Sequence, residues 1–161
     1  MLRLSKKADY ALIAVSYMAV PGERAVASAR EIAEHHDLPL ELLAKVLQQL
    51  VRKGIVRSVQ GINGGYCLSR SPVDTSVADI VEAIDGPLTL TACGGDGHEA
   101  CDQYSKCSIR DPLHRIRERI ASALATCSVA DLAADRNTSA PSVAPVRLWS
   151  GTRGNSSQGP A

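Results

Sequence analysis

The chain has 161 residues, of which 18 are basic and 17 acidic, and its formal net charge is +1. This length favours one domain with a hydrophobic core plus one extra element, and it leaves little room for a second globular domain. The balanced charge excludes bulk attraction to a polyanion, so any affinity for nucleic acid must come from local charge placement.

The cysteines and the N-terminus indicate the compartment. The five cysteines are odd in number and unevenly spread, which is not the pattern of a disulfide framework. Residues 11–20 form an apolar run behind basic residues, as in a signal peptide, but Asp9 and Tyr10 interrupt the join. No run approaches the roughly 18–20 apolar residues that span a bilayer. We expect a cytoplasmic protein with no membrane partner.

Three helices are predicted in the first third of the chain. The first covers about residues 5–19, before a Pro-Gly pair that cannot continue it. The second covers about 28–37 and opens with Ser28 and Glu31, at the spacing of a capping box. The third lies within 39–54, between a proline and a glycine. Its core stripe repeats at helical spacing and consists of Leu40, Leu43, Leu47 and Leu50.

The opposite face of the third helix is polar. Four residues recur there at the spacing i, i+4, i+7 and i+11, namely Glu41, Lys45, Gln48 and Arg52. Such a set alone would indicate an ordinary solvated face. However, residues 55–60 and 66–70 predict two strands around a tight turn at 61–65. Three helices followed by a hairpin predict a winged helix-turn-helix, whose last helix enters the major groove of DNA.

Positive charge is concentrated around this module. The basic residues in or beside it are Arg3, Lys6, Lys7, Lys45, Arg52, Lys53, Arg57 and Arg70. This local excess supports binding to double-stranded DNA. The candidate DNA contacts on the first helix, the third helix and the wing are Arg3, Lys6, Glu41, Lys45, Gln48, Arg52, Arg57, Ser58, Asn63, Gly64 and Gly65.

Three cysteines follow a further helix that is predicted from a Ser76 cap to Gly86-Pro87. They are Cys93, Cys101 and Cys107, in a stretch rich in Gly and Asp. Thiolates are soft ligands that favour zinc, copper(I) or iron-sulfur clusters. Structural zinc sites usually bring ligands in pairs two to four residues apart, whereas the gaps here are seven and five residues. The spacing favours an iron-sulfur cluster over zinc, which stays open.

A long helix is predicted after Asp111-Pro112, a cap followed by a first-turn proline. Its apolar residues recur at spacings of 3, 4, 4 and 3, and they are Leu113, Ile116, Ile120, Leu124 and Cys127. Because this narrow stripe is typical of a coiled-coil seam, we expect the helix to pack against its copy in a homodimer. Packing on its own domain alone is the alternative.

These features divide the chain into four segments. Residues 1–88 are expected to form the winged helix-turn-helix domain, and 89–111 the cysteine loop. Residues 112–134 are expected to hold the dimerisation helix and a short C-terminal helix. Residues 135–161 are polar and rich in Ser, Thr, Pro, Gly and Asn, which predicts a disordered tail. The predicted fold class is mainly α with a small β-hairpin wing.

Four motifs occur in register with a known family. They are Leu2-Arg3-Leu4-Ser5-Lys6 with Asp9-Tyr10-Ala11-Leu12, Gly61-Ile62-Asn63-Gly64-Gly65-Tyr66, Ser76-Val77-Ala78-Asp79-Ile80, and the three cysteines. Over about residues 1–134 the chain resembles the bacterial winged-helix regulators that include IscR, NsrR and RirA. Residues 85–93 look most like the branch that regulates the SUF system of iron-sulfur assembly.

The resemblance implies a homodimeric DNA-binding transcription regulator with no enzyme activity and no small-molecule substrate. The expected protein is a repressor or dual regulator that senses iron-sulfur status through a bound cluster and controls iron-sulfur assembly or stress genes. A 2Fe-2S cluster is favoured and a 4Fe-4S cluster is possible.

The resemblance also implies the ligands. The three cysteines would hold the cluster near the dimer interface. IscR-like members use a histidine three residues after the third cysteine, where this chain has Arg110, and a guanidinium cannot ligate iron. NsrR-like members use an aspartate near the start of the partner's first helix, and Asp9 falls at that position. Asp9 is therefore the candidate fourth ligand, with an ordinary first-turn acid as the alternative.

The wing and two cysteines depart from the family pattern. IscR-like members carry an arginine before the wing glycine that reaches the minor groove, whereas this chain has Gln60. Glutamine can bond a base edge without the charge attraction, so Gln60 is a candidate DNA contact with a different base preference. Cys67 and Cys127 match no family ligand and are expected to be small buried side chains.

Two other functions stay open. The cysteines could form a zinc site or a thiol redox switch in a winged-helix regulator that holds no iron. Alternatively, the chain could be a cluster-carrying electron-transfer protein, although ferredoxin-like cysteines are grouped more tightly and need no groove-facing helix. An enzyme has little support, because no phosphate-binding glycine loop and no nucleophile-base motif is present.

Overall fold

The computed structural model describes residues 3–20, 26–91 and 104–135. The predicted helix-ending pair Pro21-Gly22, the candidate ligands Cys93 and Cys101, and residues 136–161 of the predicted tail lie outside the described residues. Among the described residues, no helix combines the length and the apolar character needed to cross a bilayer.

The described residues form helices and one antiparallel hairpin. In chain order the elements are α1 Lys6–Met18, α2 Ala29–His35, α3 Leu40–Arg52, β1 Val56–Val59, β2 Gly65–Leu68, α4 Val77–Asp85, α5 Arg110–Thr126 and α6 Val129–Asp135. Short 3-10 turns cover Pro72–Asp74 and Tyr104–Lys106. The predicted fold class, mainly α with a hairpin wing, is confirmed.

Serine caps determine where α2 and α4 begin. Ser28 Oγ accepts a hydrogen bond from the backbone N–H of Glu31 at 3.1 Å, and the Glu31 carboxylate accepts one from Ser28 N–H at 3.4 Å. Ser76 and Asp79 form the same reciprocal pair, at 3.1 and 3.0 Å. Each box satisfies two backbone donors that a helix start leaves unpaired. The predicted starts of both helices are therefore confirmed.

The hydrophobic core lies where α1 packs against α3 and α4. Its largest fully buried apolar side chains are Val15, Ile32, Leu43, Val46, Leu47, Leu50, Val56, Ile80 and Val129. The predicted leucine stripe of α3 is thus buried, except that Leu40 in the first turn is 39 % exposed. Because α3 buries Leu43, Leu47 and Leu50 against the core, the opposite side of the helix faces outward.

The structure differs from the prediction at both ends of α5. The helix begins at Arg110 rather than at an Asp111 cap, and the Asp111 carboxylate accepts a hydrogen bond from Arg110 Nε at 2.8 Å. The helix ends before Cys127, which is extended and half-buried. The prediction that Cys127 continues the helical stripe is wrong, because its carbonyl accepts a hydrogen bond from Val77 N–H at 2.8 Å.

The segment around Ser128 anchors the C-terminal helices to the winged-helix domain. Ser128 pairs with Ser76, and the N–H of Val129 donates to the carbonyl of Thr75 at 2.8 Å. Val129 is fully buried, and α6 packs on α1. The long helix α5, which packs against α4, is therefore fixed to the winged-helix domain at its C-terminal end.

The glycines of the wing allow close backbone contacts. Ala27, just before α2, exchanges two backbone hydrogen bonds with Tyr66, at 3.0 and 2.8 Å. A Cβ on Gly65 would lie 2.5 Å from the Ala27 carbonyl oxygen, and one on Gly64 would lie 2.5 Å from that of Val59. Both contacts are with backbone atoms, which cannot move aside independently. Glycine is therefore required at position 65 to keep the wing docked beside α2, and at position 64 to keep the hairpin turn closed.

Replacing Gly65 by alanine should destabilise the protein by about 1–3 kcal/mol, because the added methyl group forces the wing away from Ala27. Thermal unfolding followed by circular dichroism measures the change. Ser69→Ala, at an exposed position just after β2, is the control and should leave the midpoint unchanged. An unchanged midpoint for Gly65→Ala would contradict the close approach.

Candidate DNA interface and metal centre

The outer face of α3 collects the four polar residues that the sequence placed there. Glu41, Lys45, Gln48 and Arg52 are all exposed, on the side of the helix opposite the buried leucines. A helix of 13 residues is about 20 Å long, which is enough to cross the major groove. The structure thus presents one continuous polar surface on α3, which has the size and shape of a recognition helix.

Among the described residues, no carboxylate forms an ion pair with the basic side chains of α3 and the wing. The ion pairs of the described residues involve Arg70, Arg110, His114 and Arg117. The candidate DNA-binding residues Lys45, Arg52 and Arg57 do not take part in any of them. Arg52 Nε donates to the carbonyl of Gln48 at 3.4 Å, so its guanidinium lies along the polar face of α3. These cations remain available for phosphate oxygens.

The wing is a tight hairpin that displays side chains at its tip. Arg57, Ser58, Gln60 and Asn63 are exposed, whereas the candidate contacts Gly64 and Gly65 are half-buried. The turn is closed by a hydrogen bond of 2.9 Å from Gly64 N–H to the Gly61 carbonyl. Gly61 has a φ of +126°, which only glycine adopts readily. The turn therefore holds its tip residues in a defined position.

Sequence reasoning missed Ile62 as a member of this surface. Its relative exposure is 106 %, so the tip of the wing carries a fully exposed branched apolar side chain. A single exposed apolar residue is ordinary on a protein surface. At the tip of a wing, however, an apolar side chain can contact the floor of the minor groove. The sequence signal was a large apolar residue inside a turn that otherwise contains Gly and Asn.

Arg3 and Lys6 lie on either side of Ser5, at the start of α1. Both are exposed at the start of α1. Ser5 between them is bound to the end of α4, because Asp85 accepts hydrogen bonds from Ser5 N–H at 3.0 Å and from Ser5 Oγ at 2.5 Å. The structure therefore places these two cations beside the α4 terminus rather than on the outer face of α3.

Two of the four candidate metal ligands belong to the described residues. Cys107 is half-buried between a 3-10 turn and α5, and it is not in a disulfide. Asp9 is half-buried in the first turn of α1, as predicted. Within the described part of the chain, its carboxylate takes part in none of the ion pairs. Both side chains are thus partly shielded from water and have donor atoms available to a metal.

The ligand set is judged by its chemistry. Within residues 3–20, 26–91 and 104–135, no three His, Cys, Asp or Glu side chains group closely enough to hold a metal ion. Cys93 and Cys101 lie outside those ranges. Three thiolates with one carboxylate are a donor set that fits an iron-sulfur cluster.

Arg110 occupies the position where IscR-like regulators place a histidine. Its hydrogen bond to Asp111, together with its positive charge, holds the pKa of Asp111 below the ordinary value of an aspartate. The two side chains form an exposed ion pair at the start of α5. A guanidinium cannot ligate iron, so Arg110 is not a candidate metal ligand.

The described part of the chain covers the apolar stripe of α5 only partly. None of the residues of α5 is buried, Ile116 is 46 % exposed, and Ile109, which precedes the helix, is 60 % exposed. The other predicted interface residues on this helix are half-buried, namely Leu113, Ile120 and Leu124. Leu124 also lines a groove of about 340 Å³ between α4 and α5, opposite Val81. The predicted seam is therefore divided, with one part facing α4 and the other facing outward.

Comparison with known proteins places this fold and surface in a family. The model of the Rrf2 family, described as an iron-dependent transcriptional regulator, matches residues 4–135. The chain belongs to the Rrf2 family. As an Rrf2 protein it is a DNA-binding transcription regulator and not an enzyme. The predicted resemblance to winged-helix regulators of the IscR type is confirmed.

Relatives and solved structures agree with this assignment. The HTH-type transcriptional regulator IscR of Xenorhabdus nematophila is 30 % identical over 131 residues, which cover 81 % of this chain and 79 % of that protein. The structure of CymR, the global cysteine regulator of B. subtilis, has a TM-score of 0.67 and 26 % identity, and covers 83 % of this chain and 98 % of that one. The T. potens IscR structure has a TM-score of 0.63 and 27 % identity, over 84 % and 88 % of the two chains.

Proposed function

We propose that this Rrf2 protein is a homodimeric repressor that holds an iron-sulfur cluster and binds its operator according to the state of that cluster. The observation that carries the proposal is the path of the chain. The domain that presents the polar face of α3 continues through α4 into the cysteine segment, and then through Cys107 into α5. A cofactor held by the cysteines would therefore act on the backbone between the DNA-binding domain and the dimerisation helix.

The DNA-binding half of the proposal rests on α3 and the wing. The outer face of α3 enters the major groove, where Gln48 contacts base edges and Lys45 contacts phosphates. The wing lies over the adjacent minor groove, with Gln60 and Ile62 at its tip. Because neither side chain carries a positive charge, this wing depends less on the negative potential of a narrow minor groove than an arginine does.

The two kinds of contact predict different effects of mutation. Lys45→Ala should weaken binding to every duplex and reduce the slope of log K against log salt by about one, because one phosphate contact is lost. Gln48→Ala should cost about 1–3 kcal/mol on the operator and little on other DNA. Fluorescence anisotropy at several salt concentrations measures both.

The test uses two duplexes, an operator enriched from random-sequence DNA by the cluster-loaded wild-type protein and a scrambled duplex of equal composition. Glu34→Ala, at an exposed position on α2, is the control. If Gln48→Ala lowered the affinity for both duplexes equally, the assignment of Gln48 to base edges would be wrong.

The cluster half of the proposal assigns four ligands. Cys93, Cys101 and Cys107 of one protomer would supply thiolates, and Asp9 of the other protomer would supply a carboxylate. When bound, the cluster supplies an inorganic centre that responds to iron and to oxidants, with 2Fe-2S favoured and 4Fe-4S possible. Cys107 lies just before α5, and Asp9 lies in the first turn of α1. A cluster bound to both residues would tie these two segments together, and loss of the cluster would release them.

The proposed dimer rests on α5. The 17-residue helix α5 has no buried side chain and leaves Ile116 exposed. A helix that packs only within its own chain normally buries its apolar face. A second copy of α5 would cover Ile109, Ile116 and part of Ile120. Two copies related by a two-fold axis would place two α3 helices on a palindromic operator.

A regulator that uses the same cysteines without iron is the second candidate. The observation in its favour is that the structure of CymR, the global cysteine regulator of B. subtilis, resembles this fold at least as closely as the T. potens IscR structure does. Such a protein would hold zinc or act as a thiol switch. An electron-transfer protein is not supported, because the family consists of transcription regulators.

Iron, sulfide and zinc analysis of protein purified without oxygen decides between these candidates. The proposal predicts iron and sulfide in equal amounts, together with visible absorbance. Zinc, or neither metal, after reconstitution with iron and sulfide would support the second candidate instead.

A further inference from the structure

The last turn of α4 is held by side chains from two other elements. Gln49 on α3 donates from Nε2 to the backbone carbonyls of Ala83 at 3.0 Å and Ile84 at 3.2 Å. Asp85, the final residue of α4, accepts two hydrogen bonds from Ser5 at the start of α1. The end of α4 is therefore joined both to the recognition helix and to the N-terminus of α1.

Gln49 satisfies backbone carbonyls that the end of α4 leaves without a helical partner. The last four carbonyls of a helix have no N–H partner within it. Gly86, with a φ of +82°, ends α4, and its N–H donates to the Glu82 carbonyl at 3.0 Å. The next two carbonyls, those of Ala83 and Ile84, are the ones that Gln49 binds. One side-chain amide thus supplies two donors at the point where α4 terminates.

Neighbouring glutamines of α3 face different surroundings. Gln48 is exposed on the outer face, whereas Gln49 is half-buried and faces α4. Sequence reasoning missed Gln49, although a polar residue beside the buried Val46 and Leu50 was a signal. Apolar packing between α3 and α4 is non-directional, whereas a hydrogen bond weakens steeply when its angle falls. Gln49 therefore fixes the rotation of α3 in a way that the leucines alone do not.

We propose that Gln49 is a positioning residue, which holds the recognition helix to the end of α4 so that the orientation of α3 follows the backbone at Asp85 and Gly86. This inference rests on the proposed function for its regulatory consequence. The chain passes from Gly86 towards the cysteine segment, and Asp85 holds the start of α1, one turn before Asp9. The cluster could thus act on the domain through the backbone after Gly86 or through Asp9 and the start of α1, and both connections reach the turn that Gln49 binds.

The test is Gln49→Met, which nearly preserves the shape of the side chain and removes both donors. Operator affinity should fall about tenfold relative to the scrambled duplex, because two hydrogen bonds that orient α3 are lost. Binding to the scrambled duplex and its salt dependence should stay unchanged, since the phosphate contacts remain. Gln49→Lys should restore part of the discrimination, because an ammonium group can donate to carbonyls at a helix end.

Thr75→Val is the matched control. Thr75 is buried, and its Oγ1 donates to the Ser71 carbonyl at 3.1 Å, just before the opposite end of α4. Thr75→Val, like Gln49→Met, removes a hydrogen bond from a side chain to a backbone carbonyl. The two variants should therefore lower the thermal midpoint by similar amounts. Its discrimination between operator and scrambled duplex should equal that of the wild type. If Gln49→Met also kept wild-type discrimination, the positioning role would be overturned.

The regulatory consequence has its own measurement. In the wild type, operator affinities of cluster-loaded and cluster-free protein are compared at one salt concentration. In Gln49→Met their ratio should approach one, whereas Thr75→Val should keep the wild-type ratio. A wild-type ratio retained in Gln49→Met would overturn the coupling through Gln49. Equal affinities in the wild type itself would instead contradict the proposed function, while the duplex discrimination would still judge Gln49.

Discussion

Replacing Cys107 by serine is expected to abolish cluster binding and leave the fold intact. Serine is close to cysteine in size, but its hydroxyl stays protonated near neutral pH and is not a soft ligand for iron. Cys107 is half-buried outside the core, so the substitution removes a metal ligand without leaving a cavity in the packed domain. Iron and sulfide per chain should fall from a stoichiometric value to near zero, and the visible absorbance should vanish.

Cys67→Ala is the matched control for this loss. Cys67 is 5 % exposed on β2 and pairs with Arg57 across the hairpin, so it is a buried packing residue, as predicted. Its truncation should cost about 1 kcal/mol of stability and leave the iron content unchanged. Wild-type iron and sulfide in Cys107→Ser would remove this residue from the ligand set.

If α5 forms the proposed dimer interface, replacing Ile116 by aspartate is expected to make the protein monomeric. Ile116 is 46 % exposed on α5 within one chain, so a charge there costs the folded protomer little. In the proposed dimer the same side chain is covered by the partner helix, where an unpaired carboxylate is strongly unfavourable. A monomer binds one half-site at a time, so operator affinity should fall by about 100-fold or more. Analytical ultracentrifugation and operator binding measure the two effects.

Ser122→Asp introduces the same charge on the opposite side of α5. Ser122 is exposed, and at 3.6 residues per turn it lies about 120° around the helix axis from Ile116 and about 180° from Leu113. This control should remain dimeric and bind the operator normally. A dimeric Ile116→Asp protein with normal operator affinity would show that α5 does not form the interface.

Local sequence signals were sufficient to predict most of the fold. The capping pair Ser28 and Glu31, the glycines that end α3 and α4, and the period of the leucines act within one or two helical turns, and the structure agrees with each. The end of α5 could not be predicted in this way. Helical spacing continues through Cys127, but pairing of its segment with Val77, 50 positions earlier, ends the helix.

In the candidate site too, features set by local sequence could be predicted, and features set by tertiary contacts could not. The polar face of α3 follows from helical periodicity alone, and the structure brings its four members together as predicted. Ile62 and Gln49 were missed because their importance depends on tertiary context. A turn residue is recognised as a wing tip only when the hairpin is docked, and a glutamine is recognised as a helix-end donor only when α4 lies beside it.

The end of α4 connects the recognition helix to the start of α1. Allosteric coupling requires an element whose position both sites influence. Here the last turn of α4 contacts the recognition helix through Gln49 and the start of α1 through Asp85. A cofactor that fixes the following segment can therefore influence α3 through hydrogen bonds that the structure identifies.

The most direct test of the central claim compares operator affinity in cluster-loaded and cluster-free wild-type protein at the same salt concentration. Both forms should be dimers, and the salt concentration must be equal because phosphate contacts make every affinity salt-dependent. We predict a ratio of about 5- to 150-fold, the range of ordinary allosteric coupling. Equal affinities would contradict the claim that the cysteines control DNA binding through a cluster.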